Sequence, residues 1–306
     1  MSTVRSASVL GFVLALGSAA SFALSGIFAS ALMESGWTAG AAVTARIAFA
    51  ALLLLVPTAF MLRGSWHLVR RAWGSILLFG SLAVAGCQLA FFLAVQFIPP
   101  SLALLIEFMG PVLLILWSWL RTRVSPSIIT LLGAALAVLG LVAISGGVLS
   151  SGLHPLGIFF ALIAAVGNAA YFAAGAKADH GIAPLPFVGL GLSVGAVILA
   201  IFSITGLLPF TVSSTPGTVA GISLDPWMLV TCMVLISTVL AYLLGVAAAR
   251  RLGATVASFT GYSEPLFGIV WTILLLSVLP TSAQWIGAGL IIAGVVTVKI
   301  GELRAR

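Results

Sequence analysis

Three ionisable side chains lie in the middle of long apolar runs of the sequence, where a charge is costly to bury. They are Arg46, Glu107 and Glu264. Ionisable groups inside a membrane span usually face the interior of a helix bundle and mark a functional site. Counted from the start of their runs, Arg46 and Glu107 lie at a similar depth, roughly 10–12 Å at 1.5 Å per residue. We therefore predict an Arg46–Glu107 ion pair that either has a structural or gating role or contacts substrate directly.

Glu264 has no charged residue at a matching depth in the sequence. A carboxyl group in this setting predicts one of three roles: a proton site, a site for an ammonium group, or a protonated and hydrogen-bonded structural residue. The sequence leaves these three open.

Uncharged polar side chains also occur inside the apolar runs. Such groups either join neighbouring helices or line a cavity. A stripe of small residues, Ser18, Ser21 and Ser25, favours helix contacts. For the larger polar groups cavity lining is favoured, and these are Gln88, Asn168, Tyr171 and Tyr242.

Two prolines, Pro111 and Pro265, fall near the middle of their runs. Proline lacks an N–H group, so each frees the carbonyl four residues earlier, at Glu107 and Gly261. Each proline therefore predicts either a structural kink or a hinge beside a cavity.

The composition excludes a soluble protein. The chain has 306 residues, of which 62% are hydrophobic and 6% charged, and its mean hydropathy is +1.29. Soluble domains carry about a quarter charged residues. The net charge of +7 is better explained by basic loops at a membrane surface than by nucleic-acid binding.

The motifs of enzymes are missing. The sequence has no GxxxxGK[ST] motif for ATP hydrolysis, and its histidines, His67, His154 and His180, lie at the ends of the apolar runs. Cys87 and Cys232 lie inside such runs and are interpreted as small hydrophobic residues, since neither has a partner at metal-ligand spacing. We expect no catalytic residue, metal, cofactor or ATPase partner.

Ten apolar runs are long enough to cross a bilayer, which needs roughly 20 residues. The first run also resembles a signal peptide, but the repeat described below requires it as a helix. The sequence thus predicts an all-α membrane protein with spans at about 9–31, 38–62, 73–97, 100–120, 127–148, 155–176, 183–207, 226–249, 254–278 and 281–300.

Basic residues are distributed on one side of these spans. Of the 13 Lys and Arg residues, 12 lie before span 1, in the loops that follow even-numbered spans, or near the C-terminus, which ends at Arg306. The exception is Arg46, inside span 2. The intervening loops, near Glu34, Pro99, Gly152, 208–225 and Pro280, contain none. The positive-inside rule therefore predicts cytoplasmic N and C termini.

The sequence is internally repeated. A shift of 154 residues aligns 101–143 with 255–297 without a gap and matches Pro111 with Pro265 and Gly133 with Gly287. We predict two five-helix units, residues 1–150 and 151–306. Because five is odd, the second unit must be inverted in the membrane, as in many secondary transporters.

The segment from Ala241 to Val298 resembles the C-terminal repeat of EamA-type proteins of the drug/metabolite transporter superfamily. The matching residues are Ala241-Tyr242, Arg251 to Ala254 and Tyr262 to Pro265. The stretch Ile98 to Pro111 is similar to the bacterial amino-acid exporter branch, of the aromatic or threonine/homoserine type. This resemblance implies ten helices in two inverted repeats. It also implies a central cavity lined mainly by helices 1, 3, 4, 6, 8 and 9, with helices 5 and 10 outside.

The function expected from these features is that of a secondary transporter in the bacterial inner membrane. It would export amino acids, aromatic or other neutral ones, or related small metabolites, by alternating access. A drug or quaternary-amine exporter and a channel-like facilitator are the alternatives. The predicted partners are a small-molecule substrate and membrane lipid. The predicted substrate-binding residues are Gln88, Glu107, Asn168, Tyr171, Tyr242 and Glu264, with Pro111 and Pro265 as hinges.

Overall fold

The computed structural model describes residues 2–145, 154–177, 181–277 and 279–304. The end of the predicted span 127–148, the loop at Gly152, His180 and Arg306 lie outside these ranges. Within them the chain is mostly helical, with one short hairpin. The helices are α1 (Ser2–Glu34), α2 (Ala39–Met61), α3 (His67–Ala94), α4 (Pro100–Thr122), α5 (Ile128–Ile144), α6 (Pro155–Gly175), α7 (Pro184–Ile204), α8 (Pro226–Leu252), α9 (Ala254–Leu276) and α10 (Ser282–Arg304).

The predicted helical membrane architecture is confirmed over the described residues. Nine of the helices there are long and apolar enough to cross a membrane, and α5 is a shorter apolar helix. The main difference in boundaries is at α3, which begins at His67 rather than near residue 73. Its first turns carry Arg70 and Arg71, so hydropathy alone places the start of the helix too late.

Local chemistry explains where several helices begin. The side chain of Thr38 accepts a hydrogen bond from the Ala41 N–H, and Ser127 does the same for Thr130. Asp225 caps α8 by accepting from the Trp227 N–H at 2.8 Å. These side chains satisfy N–H groups that have no partner inside their helices.

Two spans are interrupted near the prolines singled out above. In α4 the first helical piece ends at Glu107 and the second begins at Gly110, just before Pro111. In α9 the first piece ends at Gly261 and the second begins at Glu264, just before Pro265. The missing proline N–H accounts for each interruption.

Two further irregularities occur in both halves of the chain. A wide π-helical segment covers Phe79–Gly86 in α3, and another covers Leu235–Leu240 in α8. The second pieces of α4 and α9 both end at a residue with left-handed backbone, Arg123 with φ 58° and Ser277 with φ 55°. The left-handed residues therefore lie at matching positions of the two aligned stretches, and the π-helical segments, which precede those stretches, overlap when shifted by 154 residues.

Helices α5 and α10 pack closely through glycines. A Cβ atom at Gly140 would lie 2.7 Å from the Gly287 carbonyl oxygen, and one at Gly287 would lie 2.6 Å from the Gly140 carbonyl oxygen. Only glycine permits this approach, as is common between membrane helices.

The segment between α7 and α8, residues 205–225, contains a hairpin that the apolar periodicity does not predict. Its strands are β1 (Gly217–Val219) and β2 (Ile222–Leu224), paired antiparallel with Val219 opposite Ile222. The two turn residues, Ala220 and Gly221, both have positive φ, as the tightest hairpin turns require. The hairpin packs on the end of α1, where a Cβ at Gly217 would lie 2.5 Å from the Ala31 carbonyl oxygen.

Candidate functional site

A cavity of about 510 Å³ lies at the centre of the bundle. Its walls come from α1, α2, α3, α4, α6, α8 and α9. Six of these are the helices that the family resemblance implies, and α2 is an addition that brings in Arg46. The volume is in the usual range for a small-molecule site, about 300–1,000 Å³.

The structure brings the sequence-predicted site residues together at this cavity. Arg46 and Pro265 are part of its lining. Pro111 is buried at the start of the second piece of α4, outside the cavity lining. All six residues that were predicted to bind substrate line the cavity, namely Gln88, Glu107, Asn168, Tyr171, Tyr242 and Glu264. That they contact a substrate stays a prediction.

Glu107 is held by a residue that sequence reasoning did not recognise. The thiol of Cys87 donates to Glu107 Oε1 at 3.3 Å and also lies 3.4 Å from the Ala164 carbonyl oxygen. Cys87 was interpreted as a small hydrophobic residue, and it is buried as expected, but it is also a polar partner of the carboxylate. In the sequence, only the adjacent Gln88 indicates that α3 has a polar surface at this point.

Arg46 is oriented by Ser25 of α1. The Arg46 guanidinium donates to Ser25 Oγ at 2.5 Å, and Arg46 Nε is buried without a hydrogen-bond partner among the described residues. In this conformation Arg46 donates to Ser25, and Glu107 accepts from Cys87. The sequence instead predicts a direct Arg46–Glu107 ion pair. Both charged groups nevertheless line the same cavity.

The serine stripe on α1 divides between two roles. Ser18 donates to the Ala241 carbonyl oxygen at 2.8 Å, which is the helix contact expected for the stripe. Ser25, seven residues further along the helix, instead accepts from Arg46, and both serines line the cavity. Sequence alone could not separate the two, because they lie on the same face of α1.

An aromatic cluster forms one wall. Tyr171 and Tyr242 lie with ring centroids 5.6 Å apart, and Phe22 packs edge-on against Tyr242 at 5.0 Å. Phe79 supports both tyrosines, at 5.5 Å and 5.9 Å. Three of these four pairs are edge-to-face, a favoured arrangement of aromatic rings, so the cavity has a packed aromatic side.

Asn168 contacts the interruption in α4. A Cβ atom at Gly110 would lie 2.5 Å from Asn168 Oδ1, so the amide packs directly on the backbone there. Asn168 Oδ1 is buried and makes no hydrogen bond to any described residue. A buried polar atom with unmet bonding capacity requires an explanation, and a polar ligand in the cavity would supply one.

The two ends of the cavity differ. Met33 and Ala39 line it where α1 ends, and Met33 is 45% exposed there. At the other end the lining residues Ala15, Ala248 and Ala257 are buried in one cluster with Leu252 and Val256. The buried cluster thus closes the cavity toward the N-terminal end of α1 in this conformation.

Comparisons with known proteins agree with this architecture. A sequence model described as "EamA-like transporter family" matches residues 9–146 and again 155–300. An uncharacterized inner membrane transporter, YicL, of Salmonella typhimurium strain LT2 is 26% identical over 286 residues, covering 92% of each chain. A solved crystal structure with 17% identity superposes at a TM-score of 0.75 over 98% of this chain and 99% of that one, which shows a shared fold. The chain is a membrane protein with many apolar helices, and it belongs to the EamA-like transporter family.

Proposed function

We propose that the chain is a secondary transporter of the inner membrane that exports small metabolites, with aromatic or other neutral amino acids as the first candidates. The observation that carries this proposal is the single central cavity in which Arg46, two carboxylates and two tyrosines meet. The curated relative, an inner membrane transporter by name, supports the location.

The chemistry of the cavity suits a zwitterion. Glu107 or Glu264 can bind an ammonium group, Arg46 can bind a carboxylate, and the wall of Tyr171 and Tyr242 can pack against an apolar side chain. Charged hydrogen bonds away from water are about twice as strong as neutral ones. A molecule that carries both charges close together matches this arrangement better than an anion with several phosphates, because Arg46 is the one cation among the described residues that line the cavity.

Alternating access is supported by the internal repetition. The family model matches the chain twice, and the interruptions of α4 and α9 lie at aligned positions. We propose two inverted units, residues 1–150 and 151–306, with both termini in the cytoplasm. The end of the cavity at Met33 and Ala39 would then face outward, and the cluster around Ala15, Ala248 and Ala257 would be the closed inner side. Exchange of conformation between the units would open that side.

The proposal is non-enzymatic transport, without a cofactor or a nucleic-acid or ATPase partner.

A quaternary-amine exporter is the second candidate. It is favoured by the two carboxylates, Glu107 and Glu264, that line the cavity against a single arginine. A fixed cation would bind to the carboxylates and leave Arg46 without a partner group from the ligand. A channel-like facilitator, the remaining alternative, would need a continuous pore, and the buried cluster closes one end in this conformation.

Transport in proteoliposomes tests the proposal. The protein is reconstituted and assayed with labelled phenylalanine, tryptophan and threonine beside a labelled quaternary amine, with and without internal substrate. Saturable amino-acid uptake that internal substrate accelerates supports a carrier for amino acids. Uptake of the amine alone assigns the protein to amine export, and uptake that internal substrate does not accelerate indicates a channel.

Variants place the activity at the cavity. Glu107→Gln and Tyr242→Ala are expected to abolish saturable uptake, while Glu302→Gln, a glutamate of α10 outside the cavity lining, keeps it. Unchanged uptake by both cavity variants would contradict this site.

A further inference from the structure

A second cavity, of about 340 Å³, runs along the side of the bundle between α1 and the second piece of α9. On α1 it extends from Ala23 to Glu34, and on α9 from Gly268 to Leu276, with Thr218 of β1 at its outer end. We call it the lateral cleft. The proposed transport activity uses none of the residues particular to this cleft.

The lateral cleft joins the central cavity at three small residues, two of which are glycines without a side chain. Ala23, Gly26 and Gly268 line both cavities. Cβ atoms built at Gly26 and Gly268 would have no described atom within 4 Å. The wall between the two cavities is therefore thin here, because no side chain projects into the gap.

The corresponding positions in the other half of the chain are filled. The 154-residue shift pairs Gly268 with Leu114, which is buried. Near the start of the two units the shift is 146 residues, which matches Leu10-Gly11 with Leu156-Gly157, and it pairs Gly26 with Phe172, which packs on Tyr171 at 4.8 Å. Beside the gap, the Trp271 indole N–H donates to the Ala20 carbonyl oxygen at 2.9 Å and holds α9 against α1. The opening is thus particular to the α1–α9 side, and it is bounded by a specific contact.

The length of the cleft matches one leaflet of a bilayer. Gly268 and Leu276 are eight residues apart on a helix, about 12 Å, while half of the hydrocarbon core is about 15 Å. The neighbouring residues Val270, Leu274 and Leu276 are exposed large hydrophobic side chains, which in a membrane protein face lipid. The cleft therefore opens sideways into hydrocarbon and is bounded at mid-membrane by Gly26 and Gly268.

The outer rim of the cleft carries a negative charge. Glu34, the last residue of α1, is exposed and lines the cleft together with Thr218. A carboxylate at the membrane–water interface complements an ammonium group of a lipid headgroup and repels a net negative one.

We propose that the lateral cleft binds one acyl chain of a phospholipid with an ammonium headgroup. The headgroup lies at Glu34, and the end of the chain reaches Gly26 and Gly268, where it completes the side wall of the central cavity. A bound chain keeps water out of a gap that would otherwise connect the cavity with hydrocarbon.

Photolabelling tests this proposal on the full-length protein in vesicles. The probe is phosphatidylethanolamine with a diazirine near the end of one acyl chain, and labelled sites are mapped by mass spectrometry. Labelling of the α1 and α9 segments around Gly26 and Gly268 is expected. Labelling confined to other lipid-facing surfaces, such as α10, would overturn the proposal.

Filling the gap is expected to remove that labelling. Gly268→Leu and, from the opposite wall, Gly26→Leu both place a side chain in the open space and should lose the α1 and α9 labels. Gly289→Leu is the matched control, because Gly289 is an exposed glycine of α10 with no described atom within 4 Å of a Cβ. It should leave those labels unchanged. Retained labelling in either cleft variant overturns the assignment of the chain end to this gap.

A second comparison tests the headgroup. Phosphatidylglycerol with the same diazirine chain is expected to label the cleft more weakly than phosphatidylethanolamine, and Glu34→Gln is expected to remove that difference. Equal labelling by the two lipids in the unmodified protein overturns the role of Glu34. Since no transport is measured, failure here is separate from failure of the transport proposal.

Discussion

The hydroxyl of Tyr262 donates a 2.6 Å hydrogen bond to the carbonyl oxygen of Phe108. The two residues are 154 positions apart, which is the offset of the internal repeat. Phe108 follows the first piece of α4, and Tyr262 follows the first piece of α9. The hydrogen bond therefore joins the two helix interruptions at aligned positions. It supplies a donor to the Phe108 carbonyl group, which the interruption of α4 exposes.

Loss of this hydrogen bond is expected to destabilise the protein. Tyr262→Phe keeps the ring contact with Phe108, at 6.1 Å between centroids, but leaves a buried carbonyl without its donor, which costs about 1–3 kcal/mol. Thermal unfolding in detergent should show a lower midpoint. Tyr242→Phe is the control, because Tyr242 lines the cavity rather than bridging α4 and α9. Equal midpoints for unmodified protein and Tyr262→Phe would show that the bond is not structural.

Two neighbouring glycines of α10 should respond in opposite ways to the same substitution. Gly287→Ala places a Cβ 2.6 Å from the Gly140 carbonyl oxygen, and such overpacking costs about 1–3 kcal/mol. Gly289→Ala meets no described atom and should be neutral or stabilise the helix by up to about 1 kcal/mol. The unfolding midpoints of both variants check this. A stable Gly287→Ala would contradict the close α5–α10 packing.

The Cys87 thiol is expected to matter through Glu107. Cys87→Ala removes the donor that orients the carboxylate and should weaken substrate binding about fivefold, while Cys87→Ser keeps a donor and most of the affinity. Cys232→Ala is the matched control, because Cys232 does not line the cavity. Binding is measured by competition against labelled substrate in proteoliposomes. Identical affinity for the alanine and serine variants would show that packing, rather than the hydrogen bond, is what Cys87 contributes.

Charge balance in the cavity can be tested with three variants. Arg46→Gln and Glu107→Gln each leave an opposite charge uncompensated in a region where that is costly, whereas the double variant removes both. We expect transport or folding to be disrupted more in either single variant than in the double one. Equal defects in all three would contradict this charge compensation, and a double-variant defect equal to the sum of the two single defects would show that the groups act independently.

Hydropathy and individual residue types were sufficient to predict the helical membrane spans of this protein and its polar interior. Runs of about 20 apolar residues must span a bilayer, because its hydrocarbon core has a fixed thickness. The interruptions at Glu107 and Gly261 follow from the missing N–H groups of Pro111 and Pro265. The gathering of Gln88, Asn168 and the other polar residues at one cavity follows from the cost of exposing polar groups to lipid.

The pairings inside that cavity depended on the tertiary structure. Cys87 is 20 residues from Glu107 and Ser25 is 21 from Arg46, so each contact depends on how two different helices are rotated against each other. The lateral cleft depends on empty space beside Gly26 and Gly268, which no local pattern can indicate. Periodicity identifies the polar face of a helix. Only the packing of neighbouring helices decides which partner that face contacts and where a gap remains.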